Sequence, residues 1–211
     1  SIASLASQPG SIRGLFLICV ILVVGSILSA GWHVAFKAEF GALELASFLC
    51  LSIAAIVSFS IYCEGTIRLW PVPFVFALLA LREMDFQNWW FEPGLLRAEI
   101  FTSPVPVLHK VISAIAMATI AGALINLFVR GVRPFMSAVR ARDTWAIAML
   151  VSCVAVIAAL LFDGSEKNFA AISITLSPYV AKVLSYGEEV VEFAFAFLLV
   201  VSVILFARKH R

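Results

Sequence analysis

The sequence predicts an all-α fold, a polytopic bundle of transmembrane helices, from its composition and from the length of its apolar runs. Of its 211 residues, 63% are hydrophobic and 13% are charged, whereas soluble domains are about 45–50% apolar and about 25% charged. Runs such as 15–30 and, apart from Glu192, 190–207 are apolar on every face, which is typical of helices surrounded by lipid. A hydrocarbon core of about 30 Å needs about 20 apolar residues per helix. We therefore expect residues 1–211 to form a single integral membrane domain with six transmembrane helices.

The boundaries of the six helices follow from the residues that flank each apolar run. Arg13 precedes the first run, which is longer than the core of a secretory signal and is therefore read as a retained helix. The pair Pro104 and Pro106 marks the start of the fourth helix, Asp143 caps the fifth, and Ser177 with Pro178 begins the sixth. The predicted spans are about 12–36, 41–63, 69–90, 106–129, 143–163 and 178–207.

The charges predict the orientation of this bundle. The side that holds both termini carries nine basic and two acidic residues, a net of +7, and the other side carries six basic and eleven acidic residues, a net of −5. Short loops rich in Lys and Arg stay in the cytoplasm. Both termini are therefore expected inside, and the short loops suit a bacterial inner membrane.

The most informative polar stretch lies in the sixth predicted helix. Glu188, Glu192 and Glu189 fall at about 0°, 40° and 100° around its axis, so their carboxylates share one arc. They lie near the outer edge of the hydrocarbon, where a carboxylate that faces lipid is costly. We expect them to face protein or trapped water, although solvation by headgroup water or pairing with Lys182 and an arginine is an alternative.

Further polar residues are predicted at the same depth. Glu83 and Asp85 lie in a polar run near the end of the third predicted helix. Either or both could turn toward the carboxylates of the sixth helix, or Arg82 could pair with Asp85 and stabilise the helix end. His33, His109 and Asp163 come from the first, fourth and fifth helices. Converging carboxylates and imidazoles are typical ligands of divalent cations. The sequence therefore suggests an outward-facing acidic chamber that holds a divalent cation as cofactor, with candidate metal ligands Glu83, Asp85, Asp163, Glu188, Glu189 and Glu192.

Three functions fit this pattern, and the sequence leaves all of them open. In the first, a membrane-embedded enzyme acts on lipid or a lipid-linked substrate; the cation polarises the substrate or activates water, and Glu83, Asp85, His33 or His109 acts in catalysis. In the second, the chain is the cation-binding or solute-binding subunit of a transport system. In the third, it is an accessory subunit of a larger membrane complex, and the charges form interface salt bridges.

The expected partners are membrane lipids and either another membrane protein or a second copy of the chain. Nucleic acid is not expected, because the basic segment 130–142 is explained by topology or by anionic lipid. The four cysteines stand singly within apolar runs and without metal-ligand spacing, so they are expected to be small buried hydrophobic residues.

Overall fold

The computed structural model describes residues 2–37, 41–86, 94–162 and 177–210, and these residues form helices and turns with no strand among them. A short 3-10 helix, Ala98–Phe101, precedes the sixth α-helix. The α-helices are α1 Ile2–Ala6, α2 Ser11–Ala30, α3 Trp32–Lys37, α4 Ala42–Cys63, α5 Pro71–Glu83, α6 Val107–Arg140, α7 Thr144–Phe162 and α8 Pro178–Lys209.

Within the described part of the chain, five helices are long and apolar enough to cross a membrane: α2, α4, α6, α7 and α8. The shortest of them has 19 residues, which corresponds to about 28 Å of helix. This length matches a hydrocarbon core of about 30 Å. The predicted class, an α-helical integral membrane protein, is therefore supported, while α5, with 13 residues, is shorter than these five.

Three helix boundaries differ from those expected. The first predicted helix is interrupted at Gly31, whose φ of 85° belongs to the left-handed region that glycine adopts without steric cost. The third ends at Glu83 rather than at residue 90, and Asp85 follows with a φ of 48°. The fourth continues to Arg140, 11 residues beyond its expected end at 129. Within this extension Phe135 packs on Trp145, with ring centroids 6.3 Å apart, and Ala138 is buried.

The core lies where α4 packs against α5 and α8. Ala46, Cys50 and Ala54 lie on the buried face of α4 at a spacing of four residues, which is the repeat of one helix face. Small side chains at this spacing let the backbones of neighbouring helices approach closely. The face of α8 that meets them carries Ala196, Leu199, Val200, Val203, Ile204 and Ala207.

Helices α7 and α8 form an antiparallel pair joined by two side-chain hydrogen bonds. Ser152 Oγ donates to the carbonyl oxygen of Phe195 at 3.1 Å, and Ser202 Oγ donates to that of Trp145 at 2.8 Å. Both serines are buried. Each hydroxyl therefore satisfies its hydrogen bond inside the protein instead of meeting lipid unpaired.

The two described ends of the chain lie at one end of the bundle. Near the end of α8, Arg208 Nε donates to the carbonyl oxygen of Ser7 at 3.0 Å, and its Nη2 donates to Ser11 Oγ at 3.2 Å. Close by, Lys209 Nζ lies 2.5 Å from an Asp143 carboxylate oxygen at the start of α7. These contacts hold the α1–α2 turn, the start of α7 and the end of α8 together.

Candidate functional site

An ion pair joins the end of α5 to the amino-terminal half of α8. Arg82 Nη2 lies 3.5 Å from Glu192 Oε1, and the two side chains remain 57% and 32% exposed. A pair this open to its surroundings contributes little by itself, about 0–1 kcal/mol. The pair nevertheless shows that the charged end of α5 lies next to the charged segment of α8.

Several carboxylates surround this ion pair. Glu83 occupies the last turn of α5, and the charges that act on it are those of Glu192, Arg82, Glu44 and Glu189. Glu44 comes from the first turn of α4, and Glu189 and Glu192 come from α8. We call these residues the charged cluster: Glu44, Arg82, Glu83, Glu189 and Glu192.

Three of the predicted metal ligands belong to the charged cluster, and their role as ligands remains a prediction. Glu83, Glu189 and Glu192 are half-buried and lie within electrostatic reach of one another across two helices. Glu188 is also half-buried and lies next to Glu189, although it is not one of the described charges that act on Glu83.

The other predicted site residues have a different status. Asp85 is exposed in the left-handed turn that ends α5. His109 lies in the first turn of α6, where its backbone N–H donates to the carbonyl oxygen of Pro106 at 3.0 Å. Asp163 and the side chain of His33 lie outside the described part of the structure. The roles proposed for these four residues remain predictions.

Sequence reasoning missed Glu44. The signal was available, because Glu44 lies in the first turn of the second predicted helix. This turn is predicted at the same membrane depth as the carboxylates near the end of the third helix. A carboxylate in the first turn of a helix is stabilised by the helix dipole and is therefore usually given that structural role alone. Its electrostatic repulsion of Glu83 depends on how α4 packs against α5.

The sequence also gave no sign of a cysteine pair. The sulfur atoms of Cys19 in α2 and Cys50 in α4 lie 3.8 Å apart, and both side chains are buried. The expectation of small buried hydrophobic residues is therefore met by these two, whereas Cys63 and Cys153 are exposed. Two cysteines 31 residues apart meet only because their helices pack together.

The spacing of the charged cluster limits what it can bind. Among the described residues, no three side chains of His, Cys, Asp or Glu lie close enough to hold a metal ion. Direct coordination would need oxygens at about 2.0–2.6 Å from the metal. Carboxylates that lie near one another without converging on a single point can instead attract a hydrated inorganic cation or an organic ammonium group. No known protein family, curated protein or solved structure matches this chain.

Proposed function

We propose that this protein is the cation-binding component of a membrane transport system and that the charged cluster is its cation site. The observation that carries this proposal is the contact of 3.5 Å between Arg82 and Glu192, which joins the last turn of α5, with Glu83, to the segment of α8 that carries Glu189. Like charges at the edge of the hydrocarbon repel one another, and they persist together when a cation or a shared proton compensates them. Arg82 offsets one carboxylate and leaves the cluster attractive to a further positive charge.

The type of cation follows from the distances. Because no described group of side chains reaches direct coordination geometry, the ligand best suited to the site is a hydrated inorganic cation or an organic ammonium. The hypothesis of a lipid-active metalloenzyme gains no support from the described residues, since its divalent ion would need close ligands. The accessory-subunit hypothesis expects the charges to pair with another chain, but Arg82 pairs with Glu192 within this one.

The proposal includes a topology of six crossings with both termini in the cytoplasm. Its support is a parity argument. Arg208 holds the start of α2 beside the end of α8, and two ends on the same side require an even number of crossings. Five helices are long enough to cross, so the segment that begins with α5 would supply the sixth. The charge asymmetry of the loops then places the termini inside.

A stability titration of the purified full-length protein tests the cation site. Binding to the folded state alone raises the unfolding temperature, so NaCl, MgCl₂ and tetramethylammonium chloride are each titrated at constant ionic strength. We expect at least one cation to stabilise the protein and Glu83→Gln to remove this stabilisation. Glu99→Gln is the matched control, because Glu99 is exposed and lies outside the charged cluster. Identical titrations of the wild type, Glu83→Gln and Glu99→Gln would contradict the proposal.

A flux measurement separates binding from transport. The protein is reconstituted into liposomes, and uptake of the stabilising cation is followed with and without an imposed membrane potential. Uptake that depends on Glu83 supports a transport component. Cation binding without uptake would support a binding role but would refute transport by this chain alone.

A further inference from the structure

The carboxyl-terminal third of α6 carries arginines on a single side. The stretch between Lys110 and Arg130 contains 19 uncharged residues, which span about 28 Å of helix. This length equals the hydrocarbon thickness, so Arg130 lies where the apolar part of the helix ends. The helix then continues to Arg140, with Pro134 inside the extension.

The arginines of this extension share an exposed face. Relative to Arg130, Arg133 and Arg140 lie at about −60° and −80° around the helix axis, so all three occupy an arc of about 80°. All three are exposed. Phe135, about 140° from Arg130, lies on the other side of the helix and packs against Trp145. The extension therefore turns one face toward α7 and the basic face away from the protein. We call Arg130, Arg133 and Arg140 the basic face.

The basic face is not neutralised from within the described part of the chain. No ion pair or hydrogen bond involves these three guanidinium groups among residues 2–37, 41–86, 94–162 and 177–210. The nearest carboxylate along the chain, Asp143, is already bound by Lys209 at 2.5 Å. The face thus presents uncompensated positive charge at the boundary of the hydrocarbon.

We propose that the basic face binds the phosphate groups of anionic phospholipids in the adjacent leaflet. Arg130 lies at the hydrocarbon boundary and Arg133 lies about 4.5 Å farther along the axis, within a headgroup layer about 5–7 Å thick. A guanidinium binds phosphate with two parallel hydrogen bonds. Arg140, about 15 Å beyond Arg130, acts through its longer-range attraction to the negative surface, which extends over about 10 Å at 0.1 M salt.

This inference does not depend on the charged cluster or on transport, and it requires only that α6 crosses the bilayer. Its test is native mass spectrometry of the full-length protein in detergent, with phosphatidylglycerol or phosphatidylcholine added at equal concentration. We expect preferential retention of phosphatidylglycerol by the wild type. The double variant R130Q/R133Q should retain about five-fold less for each arginine removed, and Arg140→Gln should have a smaller effect.

Two further variants keep the result interpretable. R130K/R133K preserves the charge but removes the two-pronged guanidinium contact, so an intermediate loss supports direct phosphate binding. Arg97→Gln removes another exposed arginine outside the basic face and should leave retention unchanged. Equal retention of both lipids by the wild type, or an equal loss in Arg97→Gln, would overturn the proposal. Displacement of the lipid by inorganic phosphate at millimolar concentration would do the same, because it would identify a soluble anion as the ligand.

Discussion

At the scale of single residues, the charged cluster shows how unequal the two members of an ion pair can be. Arg82 faces Glu192 at 3.5 Å, but Glu83 also lies in the field of Glu44 and Glu189. Removal of the arginine leaves only like charges, whereas removal of Glu192 takes away one source of repulsion. The pair is thus less important for its own attraction than for its effect on the neighbouring carboxylates.

Substitution of the two partners should therefore have opposite effects on stability. We expect Arg82→Gln to lower the unfolding temperature and Glu192→Gln to leave it unchanged or raise it, because only the first increases net repulsion at Glu83. The measurement is thermal unfolding of each variant and of the double variant in detergent at low salt. Added salt should reduce the difference, since both side chains are partly exposed and are screened. A larger loss in Glu192→Gln than in Arg82→Gln would contradict this account.

The cysteine pair supports a second prediction. Because the sulfur atoms of Cys19 and Cys50 lie 3.8 Å apart, a membrane-permeant oxidant such as diamide should link them, with two thiols losing two protons and two electrons to the diazene. Peptide mapping under non-reducing conditions should recover the 19–50 link. The exposed Cys63 and Cys153 are internal controls and should not form a link with each other. Absence of the 19–50 link in fully oxidised protein would contradict the packing of α2 on α4.

The residues of the charged cluster could be predicted from the sequence only in part, for a physical reason. Carboxylates such as Glu83 and Glu192 are visible in the sequence because each charge stands out at the end of an apolar run, and depth along the helix can be counted in residues. The sequence does not show how each helix is rotated about its own axis relative to its neighbours. The role of Glu44 and the contact of Cys19 with Cys50 depend on that rotation, so both appeared only in the structure.

At the scale of elements, α7 and α8 are held together by features that the hydropathy pattern does not contain. Two buried serines donate hydrogen bonds to carbonyl oxygens of the facing helix, at 3.1 Å from Ser152 and 2.8 Å from Ser202. Between these bonds the contact consists of apolar packing. In a membrane, such side-chain hydrogen bonds are worth about 0.6 kcal/mol on average and up to about 1.7 kcal/mol.

Removal of these hydroxyl groups should produce small and additive losses. We expect Ser152→Ala and Ser202→Ala each to lower the free energy of unfolding by about 0.6 kcal/mol. The double variant should lose about twice as much, because the two bonds lie about 10 Å apart along the helix. Ser137→Ala, at an exposed position of α6, is the control. The measurement is unfolding in mixed detergent micelles. A loss in Ser137→Ala as large as in the buried positions would refute the assignment.

The helix ends show where prediction from hydropathy fails. Apolar runs located α4, α7 and α8 to within about two residues, because their caps coincide with the ends of the apolar stretch. They failed for α6, where the run ends at Val129 but the helix continues to Arg140. Arginine is a good helix former, so the end of an apolar run marks the edge of the membrane and not the end of the helix. Conversely, the first predicted helix is interrupted at Gly31, although the hydropathy of the run around it shows no break.

At the scale of the whole molecule, the described charges are separated between the two ends of the bundle. One end holds Arg208, Lys209 and the basic face of α6, and the other holds the charged cluster. In the proposed topology, with both termini inside, the basic end would lie on the cytoplasmic side. The proposed topology would then put the cation site and the lipid site on opposite sides of the membrane, so variants in one should leave the other unaffected.

The topology can be tested by accessibility to a membrane-impermeant maleimide in intact cells and in inverted vesicles, in a background with the exposed Cys63 and Cys153 replaced by serine. Ser137→Cys reports on the α6 extension, and Glu99→Cys reports on the segment before α6; both parent residues are exposed. With both termini inside, Glu99→Cys should react in intact cells, whereas Ser137→Cys should react only in inverted vesicles, because the loops rich in arginine remain in the cytoplasm. His210→Cys should behave like Ser137→Cys, since the end of α8 lies beside the start of α7, to which α6 leads.

Labelling of Ser137→Cys and Glu99→Cys from the same side would show that α6 does not cross. Labelling of Gln8→Cys, at an exposed position of the α1–α2 turn, and of His210→Cys from opposite sides would show an odd number of crossings and would refute the six-span topology.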